Sequence, residues 1–296
     1  MTADADFWSQ IFNFTNYGEL LVLLQNSIIA GAVLGVVGGL IGVFVMSRDM
    51  AFAVHGISEL SFAGASAGLL FGVGVVEGSL VGSLVAAALI GLLGTRARDR
   101  NSIIAVLMPF GLGLGILCLA LYPGRSANKF GLLTGQIVAV DNPRLGSLIA
   151  ISIVVVVGLA VVWRPLMFAS VDVDVASARG VPTRFLSLYF MLLLGLAVAV
   201  SVQVVGSLLV LSILVTPAAA ALRLSSSPVL VPLLSSVFAV VSLVGGIMLA
   251  LGGSVPISPY VTTISFLIYV VCRVIAALRK RHGNSGRTVD PLPARG

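Results

Sequence analysis

Two ionisable residues, His55 and Glu59, stand four positions apart in a stretch, residues 50–72, that is otherwise apolar or small. A spacing of four places both side chains on one face of a helix, about one turn apart. A charged side chain at the centre of a bilayer costs about 3 kcal/mol on insertion scales, so the pair predicts a hydrated or ligand-lined path rather than contact with lipid. An imidazole and a carboxylate are also ligands that suit a divalent transition metal.

The helical face that carries this pair continues with small or polar side chains. Ala63 lies four residues beyond Glu59, and Ser66 lies eleven residues beyond His55. We therefore interpret His55 and Glu59 as a transit site for a metal ion, and Ala63 and Ser66 as residues that line its path. The alternative is a structural pair within the membrane, hydrogen-bonded internally or to a neighbouring helix.

The sequence offers little else that could do chemistry. It contains two histidines, and His282 lies in the polar C-terminal segment. No glycine-rich phosphate loop ending in Gly-Lys-Ser/Thr and no His-Glu-x-x-His motif is present. Cys118 and Cys272 lie in apolar runs, which predicts neither a ligand pair nor a disulfide framework. We expect no catalytic residue, no permanently bound cofactor and no enzymatic activity in this chain.

The elements that must position the pair are membrane helices. The chain is 58% hydrophobic and 9% charged, against roughly 25% charged residues in soluble domains. Its mean hydropathy is +1.14. The predicted fold class is an all-α polytopic membrane protein of about eight to nine transmembrane helices. The apolar runs occupy about residues 20–46, 50–75, 79–94, 101–122, 145–163, 185–203, 204–222, 228–251 and 260–278. The run 185–222 leaves open whether it forms two full spans or one span with shorter pieces.

The basic residues predict the orientation of the spans. The net charge of +6 comes largely from arginines that border apolar segments on alternate loops, which the positive-inside rule assigns to the cytoplasm. This distribution does not indicate a nucleic-acid partner. The interpretation divides the chain into an extracytoplasmic N-terminal segment (1–19), a transmembrane permease domain (20–278) and a cytoplasmic disordered tail (279–296).

Glycines at helical spacing predict where the spans pack closely. Small residues four apart let two helix backbones approach each other in a membrane. The first span carries one row, Gly31, Gly35 and Gly39, and a further pair, Gly38 and Gly42. The fourth span carries Gly111, Gly113 and Gly115.

The longest polar connection between spans, residues 163–190, predicts a docking element. Asp172 and Asp174 precede a short helix-prone stretch, residues 175–179. Gly180 can cap the end of this helix, and Pro182 prevents its continuation. A short helix across the membrane face would offer a surface to a cytoplasmic partner. An ordinary amphipathic loop is the alternative.

Several segments resemble permeases of the zinc/manganese ABC importer family. The pattern Asp-Val-Ala-Ser-Ala-Arg-Gly-Val-Pro-Thr (residues 174–183) is similar to the coupling-helix region of that family, and the run 205–221 is similar to its downstream span. The glycine-rich first span, followed by Ser-Arg-Asp-Met-Ala-Phe and the region of His55 and Glu59, matches as well. The resemblance covers about residues 25–273.

Two positions depart from the pattern of this family. Its second span usually carries an aspartate and then a histidine four residues later, whereas this chain has His55 followed by Glu59. The ligand types are kept, and their order is exchanged. The family also tends to carry an acidic residue near the start of its last span, where this chain has residues 254–259 without an acid.

The resemblance implies the permease of a metal-type (type II-like) ABC importer in the inner membrane of a bacterium. Two copies would form a homodimer with the path along its two-fold axis, surrounded by membrane lipid. A separate pair of ATPase subunits would dock on the cytoplasmic loops, and an extracytoplasmic metal-binding protein would deliver the ion. The residues assigned to ATPase coupling are Asp174, Ala178, Arg179, Gly180 and Pro182.

The number of ligands supports a second copy. One chain supplies one imidazole and one carboxylate, and two copies about a two-fold axis supply two of each. Four nitrogen and oxygen ligands suit tetrahedral Zn²⁺, so zinc is the first expectation, with manganese or iron as alternatives.

Two other functions are compatible with the residues alone. A proton-coupled secondary transporter would use His55 and Glu59 as a proton relay and would need no ATPase. A membrane assembly protein would transport nothing, and the docking-like segment argues against it.

Overall fold

The chain folds into helices throughout the residues that the structure, a computed structural model, describes: 17–94, 97–124, 140–251 and 257–284. Most of the predicted N-terminal segment 1–19 and of the predicted tail 279–296 lies outside these residues. The helices are α1 (Tyr17–Leu23), α2 (Gln25–Ser47), α3 (Ala51–Phe71), α4 (Val75–Leu93), α5 (Ala97–Leu121), α6 (Asn142–Val171), α7 (Val173–Ala178), α8 (Thr183–Val205), α9 (Ser207–Leu214), α10 (Thr216–Leu224), α11 (Leu230–Ala250) and α12 (Ile257–Asn284).

Within the described residues, seven helices are long and apolar enough to cross a membrane: α2, α4, α5, α6, α8, α11 and α12. Helix α3 has 21 residues, enough for a span, but its histidine, glutamate and serines lower its hydropathy. Helices α9 and α10 together follow the run predicted as the seventh span. The prediction of an all-α polytopic membrane protein is confirmed, and the seven long apolar helices together with α3 are roughly consistent with the predicted eight to nine.

Helix α3 lies at the centre of the bundle and packs against α2, α4, α5, α8 and α9. Its closest neighbour is α4, because a side chain at Gly64 would overlap the carbonyl oxygen of Gly78. On another face α5 approaches so closely that a Cβ at Gly111 would lie 3.0 Å from the backbone carbonyl carbon of Glu59. Gly113 has no neighbour within 4 Å, so its predicted packing role is wrong. Close backbone packing therefore fixes the helix that carries the ionisable pair.

The glycines of α2 serve two neighbouring helices. Gly35 and Gly39 face α11, and a Cβ at Gly35 would lie 2.7 Å from the backbone of Val240. Gly38 and Gly42 face α9, at Ile213 and Leu214. The helix–helix contacts predicted from these two rows are present.

The undecided run 185–222 forms one full span followed by two short helices. Helix α8 ends at Gly206, whose φ of 82° lies in the left-handed region that favours glycine. Helix α9 then runs for eight residues, and α10 begins at Thr216 with a proline in its first turn. Such a break at membrane depth is tolerated where surrounding protein buries it, and Ser207 at this break is fully buried.

Candidate functional site

Helix α3 places His55 and Glu59 on one face in its second and third turns. The helix starts at Ala51, directly after a tight turn in which Asp49 has a φ of 52°. The Glu59 side chain is 4% exposed and the His55 side chain is 29% exposed. The carboxylate is thus enclosed by protein, and the imidazole lies at the edge of the enclosed region.

The two side chains approach each other without forming a hydrogen bond. His55 Nε2 lies 3.8 Å from Glu59 Oε1, which is beyond hydrogen-bonding distance. His55 Nδ1 and Glu59 Oε2 are buried and have no hydrogen-bond partner in the described part of the chain. Buried polar atoms normally have partners, so these two atoms have unmet hydrogen-bonding capacity. The alternative interpretation, a structural pair within the membrane, would instead require hydrogen bonds between the two side chains or to a neighbouring helix.

The distance between His55 Nε2 and Glu59 Oε1, which are not the two atoms without partners, is close to the separation of two ligands of one metal ion. Two ligand atoms about 2.1 Å from a tetrahedral metal lie about 3.4 Å apart. The observed 3.8 Å needs an adjustment of a few tenths of an ångström by side-chain rotation. Among the described residues, no group of three or more His, Cys, Asp or Glu side chains could hold a metal ion. One chain therefore offers two such ligands at this site.

The His55 end of the site lies at the exposed surface of the single chain. Phe52, three residues before His55 on the same side of α3, is 67% exposed. Farther along the helix, Ala63 and Ser66 are buried, and α5 covers Ala63 at Gly115. Ser66 donates a hydrogen bond of 2.8 Å to the carbonyl oxygen of Phe62 in its own helix. The residues that we expected to line the path thus lie deeper in the protein than His55.

The run Gly64–Gly68 has the spacing Gly-x-Ser-x-Gly of a hydrolase nucleophile elbow. That motif requires a sharp turn between a strand and a helix. Here the run lies inside α3, and its two glycines pack against α4. The spacing therefore reflects helix packing and does not indicate a nucleophile.

A buried hydroxyl link beside the site was not predicted from the sequence. The hydroxyl oxygens of Ser61 and Ser79 lie 2.7 Å apart, and Ser79 donates to the carbonyl oxygen of Ala199 at 3.2 Å. This link joins α3, α4 and α8. It holds the site helix in register with two neighbours, and only the assembled bundle reveals it.

The predicted docking segment forms helix α7 and a turn. Asp172 caps the helix, because its Oδ1 accepts hydrogen bonds from the backbone N–H groups of Asp174 and Val175 at 3.0 and 2.9 Å. Gly180 has a φ of 82° and ends the helix in the left-handed conformation. Pro182 follows, and α8 begins at Thr183.

The surface of α7 is exposed apart from one anchor. Ala176 is fully buried and fixes the helix to the bundle. Val173 and Val175 are 53% and 46% exposed, which is unusual for apolar side chains on a polar membrane face. The coupling residues Asp174, Ala178, Arg179, Gly180 and Pro182 are all exposed. The segment thus presents both apolar and charged groups.

Comparison with known proteins identifies relatives of this chain. Residues 21–276 match the family model described as ABC 3 transport family. The manganese transport system membrane protein MntC of Listeria innocua is 30% identical over 225 residues, covering 76% of this chain and 80% of that protein. The manganese import system permease protein ScaB of Streptococcus parasanguinis is 25% identical over 260 residues, covering 88% and 92%.

A solved structure has the same architecture. PsaBC from Streptococcus pneumoniae in complex with Fab superposes with a TM-score of 0.79 at 24% identity, covering 89% of this chain and 98% of that chain. The described residues thus form an all-helical, polytopic membrane bundle. The chain belongs to the ABC 3 transport family, so the family membership expected from its sequence is confirmed.

Proposed function

We propose that this chain is the permease subunit of an ATP-driven importer for a divalent transition-metal ion. The observation that carries the proposal is the pair His55 and Glu59 on the central helix α3, whose side chains approach to 3.8 Å and each keep a buried polar atom without a described partner. An imidazole nitrogen and a carboxylate oxygen within a few ångströms of each other form half of a metal site.

Manganese is the favoured ion. The sequence alone favoured zinc, on the argument that two copies supply four tetrahedral ligands. The relatives with named substrates, MntC and ScaB, are manganese transport proteins. A set of nitrogen and oxygen ligands without thiolate suits Mn²⁺ as well as Zn²⁺. Water could complete the larger coordination shell of Mn²⁺, and such a site would release its ion readily.

Two copies of the chain form the working unit in this proposal, with His55 near the two-fold axis. The half-exposed imidazole and the exposed ring of Phe52 support this arrangement, because they lie where a second copy could complete the site. Conduction requires release as well as capture, and ligands divided between two subunits can separate during transport.

The energy source is a separate ATPase that docks on α7. The exposed valines and the capped geometry of α7 support this role. An extracytoplasmic metal-binding protein would deliver the ion at the opposite face. We place the complex in the inner membrane of a bacterium, with the arginine-bearing loops in the cytoplasm.

Transport by the reconstituted complex tests the proposal. Proteoliposomes carrying this permease, its ATPase and its binding protein should take up ⁵⁴Mn²⁺ only when ATP is supplied. A protonophore should leave that uptake unchanged. Uptake without ATP that collapses with the proton gradient would instead establish the proton-coupled secondary transporter, and no uptake of Mn²⁺, Zn²⁺ or Fe²⁺ would exclude metal transport.

A further inference from the structure

A second cluster of charged side chains lies apart from the metal site, where α2, α5 and α8 meet the membrane boundary. Arg48 follows the end of α2, Arg100 lies in the first turn of α5, and Arg184 lies at the start of α8. A cavity of about 550 Å³ opens beside them, between the end of α4 and the starts of α5, α7 and α8. Arg100 and Arg184 both line this cavity.

Two of these guanidinium groups, those of Arg48 and Arg100, are half-buried and lie close together, and the negative charge of Asp49 lies beside Arg100. Arg48 donates to the Ser187 hydroxyl, and its guanidinium carbon lies 5.8 Å from the centre of the Phe190 ring. Arg100 donates to the backbone carbonyl oxygens of Arg48 and Asp49 at 3.4 Å. Neither arginine forms an ion pair with a described carboxylate.

Several donors of this cluster have no partner in the described part of the chain. They are Nε and Nη1 of Arg48 and Nε of Arg100, all three buried. Burial lowers the pKa of Arg48, and the nearby positive charge of Arg100 lowers it further. An arginine is charged under all ordinary conditions, and Asp49 supplies one negative charge beside Arg100, so an anion bound next to Arg100 would stabilise the remaining positive charge of the cluster.

The lining of the cavity beside the cluster has a basic part and an apolar part, called here its basic side and its apolar side, and α8 contributes residues to both. The basic side consists of Arg100 and Arg184 with the hydroxyl-bearing residues Thr183 and Ser187. The apolar side is formed by the end of α4 and one face of α8: Ile90, Gly91, Leu92, Leu188 and Met191. Leu92 is 62% exposed, so the apolar side continues onto the outer surface of the single chain.

We propose that this cavity binds an anionic phospholipid, with its phosphate beside Arg100 and Arg184 and one acyl chain along the apolar side. Arginine binds phosphate oxygens through two parallel hydrogen bonds. Basic pockets between membrane helices at the cytoplasmic boundary bind lipid headgroups. A carboxylate from a docked protein would satisfy the charges but would leave the apolar side uncovered, so the lipid matches the cavity better.

Native mass spectrometry of the purified full chain tests this site. The chain is mixed with equal amounts of phosphatidylglycerol and phosphatidylcholine of identical acyl chains, and retained adducts are counted. Phosphatidylglycerol should be retained preferentially, and the variant R184E should lower this preference roughly tenfold. Arg184 is exposed, so its replacement should leave the fold intact. The double variant R100Q/R184Q should show the same loss.

The matched control is R273E. Arg273 is an exposed arginine on α12, which packs against α9, α10 and α11 and does not line the cavity. Its replacement should leave the preference unchanged.

Equal losses in R184E and R273E would show general charge attraction and overturn the site. Displacement of the lipid by millimolar inorganic phosphate would show a site for a free anion and overturn the lipid assignment. An unchanged preference, with loss of ATPase co-purification in R184E, would assign the cluster to protein docking instead.

Discussion

At the scale of single residues, the exchanged order of imidazole and carboxylate is the feature that distinguishes this site. The sequence suffices to place His55 and Glu59 on one helical face, and the structure brings their nearest atoms to 3.8 Å. The sequence does not reveal that the remaining polar atom of each side chain lacks a partner, because such partners would come from neighbouring helices. The link from Ser61 through Ser79 to Ala199 was missed for the same reason.

The exchange of order leads to a prediction. The single variants H55E and E59H each leave two like groups on one face, and both should lower metal uptake by about tenfold or more. The double variant H55E/E59H restores one imidazole and one carboxylate and should recover most of the uptake. Uptake by proteoliposomes measures all three. A double variant as inactive as either single variant would contradict the idea that ligand type matters more than order.

At the scale of elements, the apolar pattern predicted the approximate number of spans but not where the backbone breaks. Hydropathy reports composition, and Gly206 stands among apolar residues that give no sign of its positive φ. Helix α6 likewise continues to Val171, past the predicted end at residue 163, because Pro165 is accommodated inside the helix. The short helix α7 was predicted well, because its cap and its terminating glycine are local signals.

Close packing between α3 and α4 leads to a second prediction. A methyl group at Gly64 would overlap the carbonyl oxygen of Gly78, so G64A should force the helices apart and lower the melting temperature of the purified chain. G113A is the matched control, because Gly113 has no neighbour within 4 Å. It should leave the melting temperature unchanged or raise it slightly. Equal melting temperatures for G64A and the original chain would contradict this packing.

The turn after α7 leads to a third prediction. A residue with a Cβ at the φ of 82° observed for Gly180 costs about 1 kcal/mol. G180A should therefore distort the docking segment and reduce metal uptake per ATP hydrolysed. G146A, within helix α6 and without neighbours within 4 Å, should not. An unchanged ratio of uptake to hydrolysis in G180A would argue against coupling through this segment.

At the scale of the whole molecule, the proposed dimer places the two α3 helices near each other. Phe52 is 67% exposed and lies one turn from His55. The variant F52C should therefore cross-link between two copies in the membrane. V154C, with 56% exposure on α6, is the control and should not cross-link. The native Cys118 and Cys272 are buried and should not interfere. Efficient cross-linking through V154C but not F52C would place the dimer contact on another face.

The most direct test of the central claim is ATP-driven uptake of ⁵⁴Mn²⁺ by complexes that carry H55A, E59A or S58A. Ser58 is the matched control, because it is buried, stands between the two ligands in the sequence, and donates its hydroxyl hydrogen bond to the backbone carbonyl of His55 at 2.8 Å. Uptake should fall by about tenfold or more in H55A and E59A while S58A stays close to the original complex. Normal uptake by both H55A and E59A, in complexes that insert and hydrolyse ATP normally, would place the metal path elsewhere.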